Sequence, residues 1–233
     1  IDHTYRVAAL CERIAKAAGM CAYDVELAWL SGMLHDVGRF EQIKRYNTFS
    51  DADSVDHAKF GADLLFKDGL ISTFLNGMVK CTGYKPGALE DRYGSDGVFL
   101  YDRLNKSDME MLELAIRCHN MYRIPQGLNR REQAFCNVLR DADKVDIFKV
   151  NIDTPLEEIY NTTTEELMKS DITDEVLEAF DEEHCILKAI RRTPADTVIG
   201  HVSLAYELVY DESVRITVEQ GYLGKLMHFH SDN

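Results

Sequence analysis

The chain has 233 residues, 45% hydrophobic and 28% charged, a composition that suits one substantial core or a core with an appended subdomain. It carries 26 basic and 40 acidic residues, a formal net charge of −14, which argues against the basic face needed to bind duplex DNA or long RNA. No apolar run reaches the roughly 18 residues of a membrane span and no signal-peptide pattern is present, so a cytoplasmic protein with no membrane partner is expected.

Residues 3–18 carry Val7, Leu10 and Ile14 at helical spacing, and Gly19 ends that helix. A second helix is expected from about Asp24 to Asp36, where Gly38 lets the backbone turn away. An irregular polar connection follows over 39–53. Ser54 reads as the N-cap of a helix from Val55 to Phe66, with a short helix over 70–81. Gly83, Pro86, Gly87, Gly94 and Gly97 break any long helix within 82–106, which is either a lid over a site or a surface insertion. Helices resume at 107–121 and 130–149. Thr154-Pro155-Leu156-Glu157 and Thr193-Pro194 are cap-plus-proline signals, and the chain ends in helices over about 195–210 and 213–228. Alternating strand patterns are nearly absent, so the expected fold is all-α.

The six cysteines (Cys11, Cys21, Cys81, Cys118, Cys136, Cys185) form no C-x-x-C pair and read as reduced, mostly buried thiols. The chain opens at Ile1 rather than Met, so native residues are expected to precede it.

His35-Asp36 ends the apolar run Trp29-Leu30-Ser31-Gly32-Met33-Leu34 and pairs an imidazole with a carboxylate. Such a pair suits Zn, Fe, Mn, Co or Ni, with Mg also open. Other helices aim similar groups inward. His3 shares a face with Val7, Leu10 and Ile14. His57 shares one with Phe60, Gly61 and Leu64, and His119 with Leu112, Ala115 and Ile116. Asp143 borders the stripe Phe135, Val138, Leu139, Ala142. Each histidine alone also reads as a hydrogen-bonded core residue, but a buried carboxylate is costly without a partner. His184, His201, His228 and His230 fit no such pattern. Asp51-Ala52-Asp53 and Asp56 resemble the start of a calcium loop. Position 6, where glycine belongs, is Asp56, and position 12 is Ala62, so calcium is rejected there.

Taken in order, His3, then Leu34-His35-Asp36-Val37-Gly38, then Asp56-His57-Ala58, then Arg117-Cys118-His119, then Asp141-Ala142-Asp143-Lys144 follow the pattern H…HD…H…H…D. That pattern resembles the HD-domain superfamily of metal-dependent phosphohydrolases over roughly residues 2–149. The resemblance implies a helical bundle in 1–149 with its metal site in the core, and a helical extension over 150–233. It also implies that His3, His35, Asp36 and Asp143 hold one metal. In members with two metals, Asp36 bridges and His57 and His119 hold the second. His119 is followed by Asn120, where some two-metal branches carry a second histidine.

The expected chemistry is hydrolysis of a phosphate ester or anhydride in a nucleotide or related small molecule, with Asp36, His57 and His119 at its centre and one or two divalent ions as cofactor. We expect two. Arg6, Arg39 and Lys144 neighbour the proposed ligands and could hold phosphate or be surface charges. Asp146 could orient a ligand or be solvated. Two other readings use the same residues: a di-iron oxygenase of the HD-domain type, or a non-catalytic sensing module stabilised by its metal. The sequence gives no oligomeric state.

Overall fold

The structure is a computed structural model that describes residues 1–80, 104–160 and 162–228. Its elements are helices, and no strand occurs among the described residues. The chain divides into two compact units, Ile1–Leu139 and Arg140–Asn233, while the sequence resemblance places its boundary at 149/150. Charge is divided unevenly between them. The first unit holds 17 basic and 19 acidic residues, 17 − 19 = −2, and the second 9 and 21, 9 − 21 = −12. The acidity that argues against nucleic acid therefore sits in the second unit, and the first is close to neutral.

In the first unit, α1 (Asp2–Ala17) and α2 (Ala22–Leu34) pack against each other and bury Val7, Leu10, Ile14, Leu27, Leu30 and Leu34. These are the apolar positions whose 3.6-residue spacing marks both helices in the sequence. The segment expected as an irregular connection begins instead with a helix, α3 (Val37–Tyr46), closed by Asn47 in the left-handed conformation at φ 53°. Its inward face is hard to read in the sequence because it carries Gly38 and the fully buried amide Gln42 rather than a row of large apolar residues. Nor is Gly38 a turn. A Cβ there would lie 2.2 Å from the His57 carbonyl oxygen and 2.8 Å from the Gly61 amide nitrogen, so the glycine is what lets α3 approach the next helix.

That helix, α4 (His57–Ala62), runs on into a π turn over Asp63–Lys67. Its N-cap is Asp56, whose carboxylate accepts from the Lys59 amide at 3.2 Å. Ser54, the expected cap, instead donates to Ser50 O and accepts from Gln42. After α5 (Leu70–Lys80), the loop expected over 82–106 lies outside the described residues as far as residue 103, as do Cys81 and His230. Helix α6 (Lys106–Cys118) opens with a capping box of Asn105 and Asp108. Asp108 also accepts from Tyr23 at 2.6 Å and pairs with Arg131 at 2.8 Å, which ties α2 and α6 to the start of α7 (Arg130–Asp153). Cys11, Cys118 and Cys136 are buried free thiols and Cys21 is exposed.

Among its described residues the second unit holds the rest of α7 and six shorter helices: α8 (Leu156–Tyr160), α9 (Thr164–Met168), α10 (Asp174–Asp181), α11 (Pro194–Val202), α12 (Asp211–Gln220) and α13 (Tyr222–Met227). Phe148, Leu167, Val198, Val202 and Leu226 form its core. The Thr193-Pro194 signal holds, with Thr193 capping α11 and Pro194 in its first turn. The expected helix over 195–210 ends earlier, at Val202, and continues as a 3-10 turn over Ser203–Glu207. The last expected helix is two, parted at Gly221. No helix among the described residues is long and apolar enough to cross a membrane.

Candidate metal centre

The first unit brings five of the expected residues together, and all stand at or beside a helix end. His3 lies in the first turn of α1, His35 and Asp36 at the junction of α2 and α3, His57 at the start of α4, and His119 directly after α6. Helix ends carry unsatisfied backbone groups, and two of the imidazoles use them. His35 Nδ1 lies 2.7 Å from Gly32 O, and His119 Nδ1 lies 2.7 Å from Ile116 O, each a carbonyl in the last turn of its helix. Only an N–H can bond a carbonyl, so both rings carry a proton on Nδ1, and in the neutral imidazole Nε2 then keeps a lone pair.

His57 is fixed in the same sense by a carboxylate. Its Nδ1 lies 2.7 and 2.9 Å from the two oxygens of Asp51. Asp51 in turn accepts from Arg39 Nη1 at 2.8 Å and Gln42 Nε2 at 3.0 Å, and Asn120 spans Asp51 and Asp56 at 3.4 and 3.0 Å. Burial pushes the Asp51 carboxyl up, but the bond and charge of His57, with the Arg39 charge and the Gln42 bond, outweigh it. They hold the group well below the usual carboxylate range. Asp51 therefore stays ionised and orients the His57 ring.

The ring nitrogens converge on Asp36, whose two oxygens face different partners. Oδ2 lies 3.7 Å from His3 Nε2 and 3.6 Å from His35 Nε2. Oδ1 lies 3.4 Å from His57 Nε2 and 3.8 Å from His119 Nε2. These gaps are too long for hydrogen bonds. They match the edges of a coordination shell, since donors about 2.1 Å from a tetrahedral ion stand about 3.4 Å apart. His57 Nε2 and His119 Nε2 face each other at 3.0 Å. The nitrogen and oxygen donors thus fit a divalent transition metal, and His35, Asp36 and His119 make one compact group able to hold it.

Exposure is graded across this centre. The side chains of His35, His57 and His119 keep 0, 5 and 1% of their surface, whereas His3 keeps 24% and Asp36 19%. Solvent therefore reaches the centre along the His3–Asp36 edge. Arg39 stands on the same edge, its Nε 3.8 Å from Asp36 Oδ1. Its Nη1 is committed to Asp51, to Gln42 Oε1 at 2.9 Å and to Phe49 O at 2.6 Å, while Nη2 has no partner among the described residues.

Of the remaining expected residues, Arg6 is half-buried on α1. Asp143 and Lys144 belong to the second unit, on α7 beyond Leu139, where Asp143 is half-buried. Lys144 is buried and meets Glu207 at 3.3 Å. Burial, and then the Arg140 charge, lower its pKa. Asp146 is buried rather than solvated. His184 meets Glu182 at 2.8 Å. Two supporting residues are not evident from sequence reasoning, Gln42 and Asp51. The acidic pattern that draws attention to Asp51 suggests calcium, yet its carboxylate is the partner that orients His57.

A search of curated proteins and one of solved structures each returned no match to the chain. A family model described as HD domain matches residues 1–149, well over half of the 233, and takes in every member of the H…HD…H…H…D pattern. The chain therefore belongs to the HD domain family, a superfamily of metal-dependent hydrolase type.

Proposed function

We propose that the chain hydrolyses a phosphate ester or anhydride in a nucleotide or related small molecule, at a centre of two divalent ions shared through Asp36. The observation that carries this reading is the division of the Asp36 carboxylate, with Oδ2 toward His3 and His35 and Oδ1 toward His57 and His119. When bound, the ions supply Lewis acidity that lowers the pKa of water and draws charge from a phosphoryl oxygen.

The chain's own groups prepare the site. Gly32 O, Asp51 and Ile116 O hold the protons of three imidazoles on Nδ1, so no rearrangement is needed before their Nε2 atoms act as donors. Three buried rings line the floor of the centre and keep bulk water from it, which strengthens every charge interaction there. Arg39 is held in place by three acceptors on Nη1 and has Nη2 available for a phosphoryl oxygen at the exposed edge. The role of Asp143 rests on the family pattern.

The test is a substrate screen with protein loaded with Mn, Fe, Co, Ni or Zn in turn, against nucleoside mono-, di- and triphosphates and dinucleotides, in air and without oxygen. Phosphate release under both atmospheres supports the hydrolase. Turnover confined to iron-loaded protein in air replaces it with the oxygenase reading.

A further inference from the structure

The side chain that follows His119 reaches across to the other imidazole of the pair. Helix α6 ends at Cys118, so Asn120 stands on the turn beyond it, half-buried. Its Nδ2 donates to Asp56 Oδ1 at 3.0 Å and, by a longer bond, to Asp51 Oδ2 at 3.4 Å. Both acceptors serve His57. Asp51 Oδ2 accepts the His57 Nδ1 proton at 2.7 Å, and Asp56 is the N-cap of α4, whose first residue is His57. Asn120 therefore touches the group that turns the His57 ring and the group that starts the His57 helix. The path closes on itself. His119 is bonded to Asn120, Asn120 to Asp51 and Asp51 to His57, and His57 Nε2 faces His119 Nε2 at 3.0 Å.

The residue type suits this task. Both acceptors are carboxylates, so the amide must turn its nitrogen toward them, and one NH2 has two hydrogens to share. An imidazole nitrogen has one hydrogen at most and could not serve both. The carboxylates need a donor between them. An oxygen of Asp51, an oxygen of Asp56 and a His57 nitrogen lie within 4.8 Å of one another, where two like charges repel. That grouping has the donor types of a cation site, but its charge is already met by side chains. Asp51 pairs with Arg39 at 2.8 Å and Asp56 with Lys59 at 2.9 Å. We propose that Asn120 is a positioning residue for the His57–His119 pair, acting through Asp51 and Asp56. This chain thus uses for orientation a position where some two-metal branches carry a second histidine. The proposal deepens the two-ion reading and rests on it. The ion held by His57 and His119 depends on Asn120, and the ion on the His3–His35 side does not.

The probe is Co(II) alone, titrated into the metal-free protein against a competing chelator and followed by its visible absorption. The wild type should take up two ions, of which His119→Ala loses one. Asn120→Ala should weaken that same ion by about tenfold or more and leave the other unchanged. In an Asp51→Asn background the substitution should add much less than that factor, because part of its route is already cut. Circular dichroism and the metal-free unfolding midpoint certify the fold. Asn120→Ser, which keeps one donor, replaces Asn120→Ala if that variant fails to fold. Wild-type affinity for both ions in the variant overturns the proposal. So does an equal loss at both ions, the mark of a general structural role, and so does the full factor on top of Asp51→Asn. The two-ion reading is tested by the wild type alone, so its failure is separate. If one ion binds, that ion decides. An affinity that falls in Asn120→Ala, and falls no further when Asn120→Ala is added to Asp51→Asn, supports the positioning role even as the two-ion reading fails. Any other result overturns it.

Discussion

His57 Nε2 and His119 Nε2 stand 3.0 Å apart, and as neutral imidazoles with Nδ1 protonated each presents a lone pair to the other. The Nδ1 proton of His57 goes to Asp51 and that of His119 to Ile116 O, so as neutral imidazoles neither ring can donate across the gap without giving up a buried partner. A cation held by both nitrogens would remove this repulsion and supply the charge that neutral rings lack.

Chelation should lower the unfolding midpoint of the wild type, and readdition of metal should restore it, because an ion bound only by the folded state adds stability by mass action. In His119→Ala the facing lone pairs are gone and one binding position is lost, so the chelator should lower its midpoint by less. Thermal melts with and without chelator check this, and an equal drop in both proteins would count against the ion lying between His57 and His119.

Asp51 touches His57 and fixes its tautomer, so its loss should act on metal affinity rather than on the fold. Asp51→Asn removes the charge and leaves an amide able to hold His57 in the wrong tautomer. Affinity for the more weakly held ion should fall by about 10–100-fold, as is typical when the orienting partner of a ligand histidine is lost. A metal titration with a competing chelator measures it, and wild-type affinity would remove Asp51 from the site.

Gly38 is where α3 and α4 meet. A methyl group at this position would stand 2.2 Å from the His57 carbonyl oxygen, and backbone cannot yield as a flexible side chain can. Gly38→Ala should cost about 1–3 kcal/mol in stability and displace His57, with a matching fall in metal content. Urea midpoints together with metal analysis test both parts, and a variant as stable and as metal-rich as wild type contradicts the close approach.

In the second unit, His201 is half-buried, and its Nδ1 is buried with no hydrogen-bond partner among the described residues. Burial, and then the charges of Arg191 and Lys188, push its pKa down from 6.5 to about 3. The folded pKa lies below the unfolded one. As pH falls below 6.5, the unfolded chain therefore binds a proton that the folded chain refuses. The stability His201 contributes is complete above that pH and is lost progressively toward pH 3. Between pH 7 and pH 5 the wild type should lose more stability than His201→Gln, by on the order of 1 kcal/mol. Parallel slopes in paired urea titrations would show that His201 is protonated with equal ease in both states.

The all-α class is legible because most helices bury a regular apolar stripe, Val7-Leu10-Ile14 being the clearest. His35-Asp36, His57 and His119 are legible for the same reason, as polar groups at inward positions that demand a partner. What the sequence hides is polar and local. Helix α3 is concealed by the buried Gln42, since a helix that turns an amide and a glycine inward has no apolar period to detect. Asp51 is concealed because its importance lies in a side-chain bond to His57 that no spacing rule encodes. Gly38 looks like a breaker because nothing in its immediate sequence records that another backbone lies against it. Arg39 reads as a possible surface charge, whereas its guanidinium is held by Asp51, Gln42 and Phe49 O.

The measurement that tests the central claim most directly is the metal-to-protein ratio at saturation in the wild type, His119→Ala and Asp36→Ala, with His184→Ala as the control. A centre divided between the two oxygens of Asp36 predicts about two ions in the wild type and in His184→Ala, about one in His119→Ala, and almost none in Asp36→Ala. One ion in the saturated wild type, or wild-type metal content in Asp36→Ala, would contradict it.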